Sequence, residues 1–343
     1  MKKKALVIML ILSCIMTGCG KKGNNAVSKE TTTNTGASAE DSTNTNTNTA
    51  TEGTTSTTEA TEEKSKLDIA IEEAKKSADD IAAKIEENKG FEISQDTSTS
   101  DGVDDETEVE KTKPLTKNDS GKVQIQCVST NSTYKYNSYM ITSAEGESIV
   151  IDPTSVATKE EYEMNVAAII STHDHPDHVD TEFNDSYPDA KKLLYEEGTI
   201  ETKDFKVTLI PSSHQGEEIR TPASNYIALI EVDGLRIVHM GDVGQTVLTD
   251  EQMEQLGEVD ICFMQYSNSY SSFKAKEGQA IVLMKQVNPK VIIPTHYFPT
   301  DLNIFSYVYG TVSLYNNVMY VDKDSIANDS QNMCRIINNV SYQ

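Results

Sequence analysis

Three of the six histidines of this chain fall in one heptapeptide, residues 172–178, which reads Thr-His-Asp-His-Pro-Asp-His directly after an apolar run typical of a buried strand. Neutral imidazoles and carboxylates are suitable ligands for zinc. His173 and His175 stand two residues apart, so both can point into one coordination sphere, while Asp177 and His178 are available to a neighbouring one. The heptapeptide therefore predicts two half-sites for metal ions at the end of a strand.

The remaining histidines, His214, His239 and His296, each lie at the end of a hydrophobic run with β character. Strand ends are where α/β folds place their chemistry, so His214, Asp242 and His296 are the expected further ligands. His239 is interpreted instead as a hydrogen-bonded core residue or a support for a ligand. The competing interpretation of the heptapeptide is a solvated turn that binds metal adventitiously, and the three partners at strand ends speak against it.

The order of these motifs resembles the metallo-β-lactamase superfamily, in which His-x-His-x-Asp-His is followed by a lone His, a Gly-Asp and a final His. The similarity covers residues 121–300, roughly. The strings that begin at His239 (His-Met-Gly-Asp-Val-Gly) and Pro294 (Pro-Thr-His-Tyr) look most like its lactonase-like branch, which includes ascorbate-6-phosphate lactonase. The resemblance implies an α/β fold, a four-layer αβ/βα sandwich, and a metal-dependent hydrolase.

The resemblance also implies a ligand set. His173, His175 and His214 would hold the first metal ion, Asp177, His178 and His296 the second, and Asp242 would bridge the two. The ions would be divalent, with Zn²⁺ favoured and Mn²⁺ or Fe²⁺ left open. A bridging hydroxide would attack the substrate, with Asp177 and Asp242 as the catalytic residues. Asp177 could orient this hydroxide or shuttle its proton.

Departures from other branches narrow the reaction. Flavodiiron oxidoreductases carry Glu where this chain has His175, and members that hydrolyse antibiotics often carry Cys at the second metal, whereas this chain has no Cys near Asp242. The formal net charge of −24 disfavours binding to a polyanionic backbone, so no nucleic-acid partner is expected. A small-molecule substrate with an ester, lactone or related bond is favoured. A phosphodiester hydrolase and a non-catalytic, metal-stabilised binding or sensing lipoprotein remain the alternatives.

Substrate choice is expected to depend on two loops, Glu217–Ser224 and Ser267–Lys276. Their basic side chains could recognise an anionic group, or could merely be solvated; they are Arg220, Lys274 and Lys276. The stretch from Tyr266 to Tyr270 is either a pocket rim or an ordinary turn. Tyr297 could donate to a developing oxyanion or could only pack against the sheet.

The first nineteen residues resemble a bacterial lipoprotein signal. Lys2 to Lys4 give a positive start, an apolar stretch follows, and Met16-Thr-Gly-Cys19 has the form of a cleavage site before a lipidated cysteine. The resemblance implies lipidation at Cys19 and an extracytoplasmic, membrane-anchored protein. A plain secretory signal with an incidental cysteine is the alternative.

Composition divides the rest of the chain. Residues 20–63 are rich in Thr, Ser and Asn and predict a disordered tether, 64–90 predict a helix, 91–120 an acidic linker and 121–343 the hydrolase domain. The apolar residues of the helix recur at alternating three- and four-residue steps; they are Leu67, Ile71, Ala74, Ala78, Ile81 and Ile85. A spacer or docking helix is favoured over self-association through a coiled coil.

Within the domain, short runs of β character predict a series of strands, and two helical patterns alternate with them. The predicted strands are 123–128, 139–142, 148–151, 166–170, 206–210, 226–232, 235–240, 259–264 and 291–294, and the predicted helices are 250–256 and 276–287. Asp152, before Pro153, is interpreted as a turn former that could also hydrogen-bond near the metals. The remaining cysteines, Cys127, Cys262 and Cys334, are predicted to be buried free thiols.

Overall fold

The fold is known from a computed structural model, which describes residues 56–87, 109–111, 117–131, 137–161, 163–310, 312–314, 318–327 and 333–336. The predicted signal peptide with Cys19, the tether up to residue 55 and much of the acidic linker lie outside the described residues. Within these ranges, no helix combines the length and the apolar character that crossing a membrane requires.

The described helices and strands alternate along the chain. The helices are α1 (Ser56–Glu87), α2 (Thr181–Ser186), α3 (Asp250–Leu256), α4 (Gln279–Val287), α5 (Leu302–Tyr309) and α6 (Lys323–Ala327). The strands are β1 (Val109–Lys111), β2 (Val123–Asn131), β3 (Asn137–Thr142), β4 (Ser148–Ile151), β5 (Val166–Ser171), β6 (Lys191–Leu194), β7 (Gly198–Glu201), β8 (Phe205–Ser212), β9 (Asn225–Val232), β10 (Leu235–His239), β11 (Ile261–Gln265), β12 (Val291–Thr295), β13 (Val312–Leu314), β14 (Val318–Val321) and β15 (Met333–Ile336).

The strands form two sheets that pack face to face. The first sheet has the order β1-β2-β3-β4-β5-β6, with β14 also paired to β2, and the second has the order β13-β15-β12-β11-β10-β9-β8-β7. The core between them joins residues such as Ile141 and Ile170 of the first sheet to Ile230, Phe263 and Ile293 of the second. Alternate residues of each strand therefore face this shared core, as two packed sheets require.

Helices cover the outer faces of both sheets. Phe183 of α2 packs beside Val150 and Ile169 of the first sheet. On the second sheet, α4 and α5 supply residues such as Leu283 and Phe305 to a second apolar cluster. The layers are thus helix, sheet, sheet and helix, which confirms the predicted four-layer αβ/βα sandwich.

The topology brings the ends of several strands to one edge of the sandwich. In the second sheet, β10, β11 and β12 are parallel, and β8 runs in the same direction because β9 is antiparallel to both β8 and β10. The carboxyl ends of β8, β10 and β12 therefore lie at one edge. His214, Asp242 and His296 each follow one of these ends closely in the chain.

Helix α1 packs on the sandwich through its apolar stripe. It is described from Ser56, before the predicted start at residue 64, to Glu87, and residues 88–90 of the predicted helix lie outside the described residues. Ala74 and Ala78 are buried in a cluster with Val247 and Val282. A Cβ atom added at Gly278 would lie only 2.8 Å from the carbonyl oxygen of Ala78, so the two segments touch through their backbones. This packing agrees with the docking interpretation, while self-association through the helix stays a prediction.

Three further features bear on the sequence predictions. Strand β1 lies within the predicted acidic linker. An acidic segment can form this strand because pairing with β2 at the sheet edge uses backbone groups and needs no apolar side chain. Cys127 and Cys262 are buried free thiols, as predicted. No side-chain environment is described for Cys334 in β15.

A buried carboxylate, Asp260, ties the start of β11 to its surroundings. It accepts hydrogen bonds from the backbone N–H of Arg236 at 2.8 Å, from Lys290 Nζ at 3.0 Å and from Lys323 Nζ at 2.6 Å. Burial raises the pKa of Asp260, but these donors outweigh burial and lower the pKa below its ordinary value. Asp260 therefore stabilises the fold when it is ionised.

We expect Asp260→Asn to lower the free energy of unfolding by about 1–2 kcal/mol at neutral pH, because it removes a charged acceptor from buried donors. A lowered carboxyl pKa contributes stability above the unfolded-state value of about 3.9, and this contribution is lost as pH falls through the folded-state pKa. The difference between variant and wild type should thus shrink below about pH 4. Urea unfolding across pH tests this, with exposed Asp189→Asn as the control; a pH-independent difference would contradict it.

Candidate metal centre

The structure gathers the seven predicted ligands into two adjacent groups. One group joins His173, His175, His214 and Asp242, the other joins Asp177, His178 and His296, and one potential ligand atom per residue lies within 4.8 Å of the others of its group. All of these side chains are buried except His175 and Asp177, which are half-buried. Both groups lie where the sandwich edge collects the strand ends.

The carboxylate of Asp242 lies between the two groups. Its Oδ2 atom is 3.6 Å from His173 Nε2 and 3.5 Å from His214 Nε2. Its Oδ1 atom is 3.5 Å from His178 Nε2 and 3.7 Å from His296 Nε2. Two ligand atoms bound tetrahedrally to one zinc ion would be about 3.3 Å apart. The spacing is therefore close to that of two neighbouring metal sites bridged by one carboxylate.

The polar atoms at the centre of the site fit metal ligation. The Nε2 atoms of His173, His178 and His214 and the Oδ1 atom of Asp242 are buried and make no hydrogen bond. A buried polar atom without a partner costs about 1–3 kcal/mol. Because these atoms converge on common points, divalent cations would satisfy all of them, and the residues present fit the metal ions that the resemblance implies.

A second layer of hydrogen bonds orients the histidines. Asp152 accepts from the backbone N–H of Thr172 at 2.7 Å, from the Thr172 hydroxyl at 2.9 Å and from Nδ1–H of His178 at 2.8 Å. The Thr172 hydroxyl lies 3.1 Å from His173 Nδ1 and can accept a hydrogen bond from Nδ1–H, because its own hydrogen points to Asp152. With Nδ1 protonated in both rings, each Nε2 keeps a lone pair for a metal.

Asp152 thus combines the two roles that the sequence left open. Its backbone lies in the left-handed region, with φ of 48°, as suits a turn before Pro153. Its side chain is buried and oriented toward His178, so the turn delivers a hydrogen-bond acceptor directly beneath a ligand.

Sequence reasoning missed a further support for Asp242. Asn268 Nδ2 donates to Asp242 Oδ2 at 2.6 Å, and the Ser271 hydroxyl donates to the Asp242 carbonyl at 2.9 Å. On the other side, the backbone N–H of Asp242 donates to Asn225 Oδ1 at 2.9 Å. The only sequence signal was the predicted rim stretch that contains Asn268. An amide that approaches a ligand only through the tertiary fold leaves no spacing pattern in the sequence.

The glycines around Asp242 are required by close packing. Gly241 has a φ of +56°, and a Cβ atom there would lie 2.8 Å from the Thr172 side chain and still closer to Asn225. A Cβ atom at Gly244 would overlap the backbone carbonyl of His214. The Gly-Asp-Val-Gly segment therefore passes directly against both neighbouring ligand loops, which brings Asp242 between them.

The electrostatics of the site favour cations. Burial opposes charge on Asp242, yet the neighbouring imidazoles, His296 first, hold its pKa well below the usual range. Burial likewise lowers the pKa of His178, but the carboxylates of Asp242 and Asp152 outweigh it and raise this pKa to about 10. Asp152, Asp177 and Asp242 are ionised, so negative charge is concentrated at the site. This charge favours the binding of divalent cations, and it also favours a proton on His178.

Comparison with known proteins finds a family that is similar to this part of the chain. Residues 132–296, just under half of the chain, match the family described as "Beta-lactamase superfamily domain", and the match contains all seven ligand candidates. The chain is an enzyme of the metal-dependent hydrolase class, as predicted.

Several solved structures are similar to this chain at low sequence identity. A Thermotoga maritima protein described as a zinc-dependent hydrolase of the metallo-β-lactamase superfamily is 18% identical, with 64% of this chain and 100% of that chain covered and a TM-score of 0.44. A Parabacteroides distasonis protein described as a metal-dependent hydrolase is 21% identical, with 69% and 99% covered and a TM-score of 0.43. A metallo hydrolase of the archaeon Ignicoccus hospitalis is 16% identical, with 64% and 97% covered and a TM-score of 0.42.

Two cavities flank the candidate metal centre. Cavity 1, of about 500 Å³, borders His173, His175 and His214, and Arg220 is also among its lining residues. Cavity 2, of about 760 Å³, borders Asp177 and His296 and includes most of the Ser267–Lys276 loop. Both loops that were predicted to govern substrate choice therefore line the space next to the metal ligands.

The other residues that the sequence singled out lie partly at the site and partly in the apolar core. His239 is outside both ligand groups; its Nδ1 atom accepts from the Gly241 N–H at 3.1 Å, and burial lowers its pKa to about 4. Tyr297 is buried and packs against Phe305, with ring centroids 5.5 Å apart. Tyr266 is also buried in the core, whereas Tyr270 is 72% exposed and lines both cavities. Residues 267–270 of the predicted rim stretch therefore line cavity 2, and only Tyr266 belongs to the core.

We expect Asp152→Asn to weaken metal binding by about 10- to 100-fold, because the neutral amide no longer holds the proton on His178 Nδ1 as strongly or raises the basicity of Nε2. Competition with a chromophoric chelator measures the affinity directly. Asp260→Asn is the matched control, since it also removes a buried carboxylate, but one remote from the ligands. Equal metal affinities for wild type, Asp152→Asn and Asp260→Asn would contradict the role assigned to Asp152.

Proposed function

We propose that this protein hydrolyses an ester, a lactone or a related bond with two divalent metal ions, most suitably Zn²⁺, held side by side. The observation that carries the proposal is the position of Asp242. Each of its carboxylate oxygens faces a different pair of histidine Nε2 atoms, at distances of 3.5–3.7 Å. A mononuclear site would not need two complete histidine pairs around one carboxylate.

The seven residues would form two sets of metal ligands that share one carboxylate. His173, His175 and His214 would hold one ion and Asp177, His178 and His296 the other, with Asp242 shared. When bound, such ions lower the pKa of a coordinated water to about 7 and polarise a carbonyl or phosphoryl oxygen. The protein supplies fixed positions: Asp152 and Thr172 hold the imidazoles in one tautomer, and Asn268 holds the bridging carboxylate.

Asp177 is the residue best placed to move a proton. Its Oδ2 atom is 3.4 Å from His296 Nε2 and 3.7 Å from His178 Nε2, and its side chain is 30% exposed toward cavity 2. Hydrogen bonding to His296 and the charge of His178 outweigh burial and lower the pKa of Asp177 to about 2. Asp177 is therefore ionised at neutral pH, so it can accept a hydrogen bond that orients the attacking water. Its low pKa makes it a transient carrier of the proton, which it would release to the leaving group rather than retain.

The cavities support turnover of a small molecule over a purely binding role. Both open directly onto ligand residues, so a bound molecule could reach the reacting position. Arg220 in cavity 1 and Lys276 in cavity 2 offer positive charge to an anionic part of a substrate. These charges keep phosphodiester hydrolysis as the second candidate, although the strongly negative chain disfavours a nucleic-acid polymer.

Attachment to the outer face of a membrane through Cys19 is part of the proposal. It is supported by the positive start, the apolar stretch and the small residues before Cys19. The Thr-, Ser- and Asn-rich residues that follow would then join the anchor to the hydrolase domain as a tether.

We expect the purified protein to contain two metal ions per chain and Asp177→Asn to lose about 100-fold or more in kcat while it keeps at least one ion. Elemental analysis gives the metal content, and a screen of lactones, simple esters, phosphodiesters and β-lactams gives the activity. Asp185→Asn, a surface carboxylate on α2, is the control and should behave like wild type. Metal without turnover of any substrate would favour the binding role, and unchanged turnover in Asp177→Asn would contradict the assigned mechanism.

We expect the full chain to take up radiolabelled palmitate when it is produced in bacterial cells, and Cys19→Ala to abolish the label and release the protein from the membrane fraction. Cys127→Ala is the control, because Cys127 is a buried core thiol and should leave labelling unchanged. Equal labelling of wild type and Cys19→Ala would refute anchoring at this residue.

A further inference from the structure

Exposed aromatic residues concentrate at the mouth of the metal centre. Among the described residues, six large hydrophobic side chains are exposed, and three of them line the two cavities. These are Tyr195 and Tyr270 in cavity 1, and Tyr270 and Phe298 in cavity 2. Exposed apolar surface that gathers at one place on a soluble domain marks a binding site.

Cavity 2 is the more apolar of the two. Phe273, Ala275, Phe298 and Ile304 contribute to its wall, and Phe298 is 39% exposed although it follows the ligand His296 by only two residues. Cavity 1 has a larger polar share in its lining, since Ser213, Gln215, Ser224 and Arg220 join the histidines there, although it also includes tyrosines. The two sides of the metal centre thus present different chemistry to the two halves of a substrate.

Tyr270 stands where the cavities meet. Its ring centroid lies 6.4 Å from that of His175, and its backbone carbonyl accepts from Gln215 Nε2 at 2.6 Å. Its N–H donates to Asn268 Oδ1 at 2.9 Å, so the residue that supports Asp242 also holds the base of this rim. An aromatic ring fixed in this way beside the ligands can cover the apolar part of a bound molecule.

We propose that the substrate is amphipathic, with an apolar chain or ring that enters cavity 2 between Tyr270 and Phe298 and a polar or anionic part that lies in cavity 1 toward Arg220. This inference rests on the proposed hydrolase function and names the class of its substrate. The scissile bond then lies between the cavities, over the metal ligands. Water is displaced from Phe298 and Tyr270 only when the apolar part is long enough to reach them, so affinity increases with its length.

A series of nitrophenyl esters from acetyl to octanoyl tests the proposal on the metal-loaded full chain. The expected result is a rise of kcat/KM along the series, and a loss of about tenfold for the octanoyl but not the acetyl ester in Phe298→Ala. Tyr320→Ala removes an exposed aromatic residue of β14 far from the cavities and should leave the series unchanged. A flat series, or an equal loss for all esters in Phe298→Ala, would overturn the proposal.

Binding of octanoate and acetate by calorimetry separates this proposal from the hydrolase function. If no ester is turned over but octanoate binds more tightly than acetate, and Phe298→Ala removes the difference, the apolar subsite stands and the hydrolase function fails. Equal binding of both carboxylates in wild type would overturn the subsite itself.

A second observation concerns helix α1, which packs behind the walls of the site. The short turn Ala275–Glu277, which contributes to cavity 2, and helix α4 both contact α1. On its other side, α1 buries Ala78 against Val247, which lies in the loop that begins with Asp242. Gln286 of α4 exchanges two hydrogen bonds with the backbone of Leu248, at 2.8 and 2.9 Å, so α4 is joined directly to this loop.

We infer that α1 is a positioning element of the active site, although it precedes the matched domain in the chain. Ala78 and Gly278 approach so closely that no larger side chain fits between them. The docked helix therefore limits the movement of the Ser267–Gly278 segment and of the loop after Asp242. This inference depends on the proposed function only in the effect that it predicts on turnover.

Ala78→Glu tests this role because it places a charge in the buried contact, while Ala83→Glu makes the same change on the exposed face of α1. Hydrogen exchange should become at least about tenfold faster in peptides that cover residues 243–248 and 267–278 of Ala78→Glu. KM should rise severalfold, with kcat and metal content close to those of wild type. Ala83→Glu should match wild type in every measurement.

Ile81→Ala provides a milder change at the same contact in case Ala78→Glu fails to fold, and it should accelerate the same peptides to a smaller extent. Exchange in both segments that is as slow in the Ala78 or Ile81 variants as in Ala83→Glu would overturn the positioning role. Because exchange does not require turnover, absence of hydrolysis would count against the proposed function but would leave this inference decided by the exchange data.

Discussion

The buried carboxylate of Asp242 is the interaction on which the site depends. An ionised carboxylate inside a protein is costly unless charge or hydrogen bonds compensate for it. Here four histidine Nε2 atoms face its two oxygens, Asn268 donates to one of them, and the backbone N–H is bound by Asn225. Divalent cations between these groups would satisfy the buried atoms that have no hydrogen-bond partner, so the same burial that would destabilise the carboxylate favours the binding of metal ions.

The fold satisfies this requirement by bringing strand ends together from both sheets. The ligand heptapeptide follows β5 in the first sheet, whereas His214, Asp242 and His296 follow strands of the second. Neither sheet alone has a complete set of ligands. The apolar core between the sheets therefore has a chemical consequence, because its packing determines the distance between the heptapeptide and its partners.

Around this centre lie the loops that line the cavities and the helix that packs behind them. Asn268 connects the bridging carboxylate to Tyr270, and the same segment ends at the turn against which α1 packs. One short stretch of chain, residues 268–277, thus supports the bridging carboxylate, lines cavity 2 and contacts the N-terminal helix. A substrate that enters cavity 2 would contact residues whose positions depend on segments outside the metal-binding motifs.

The sequence by itself determined the ligand types, their order and their location at strand ends, because a metal site needs particular side chains at short, recognisable spacings. Most central strands were also predictable, since alternation and apolar runs are local properties. The short elements β6, β7, α2 and α5 were not predicted, because few residues of each are buried and their pairing depends on neighbours. Only the tertiary structure decided that Asp152 supports His178, that Asn268 holds Asp242, that Tyr266 is core while Tyr270 is rim, and that α1 packs behind the cavities. These contacts join residues far apart in the chain, and their distances arise only when the two sheets and their covering helices pack together.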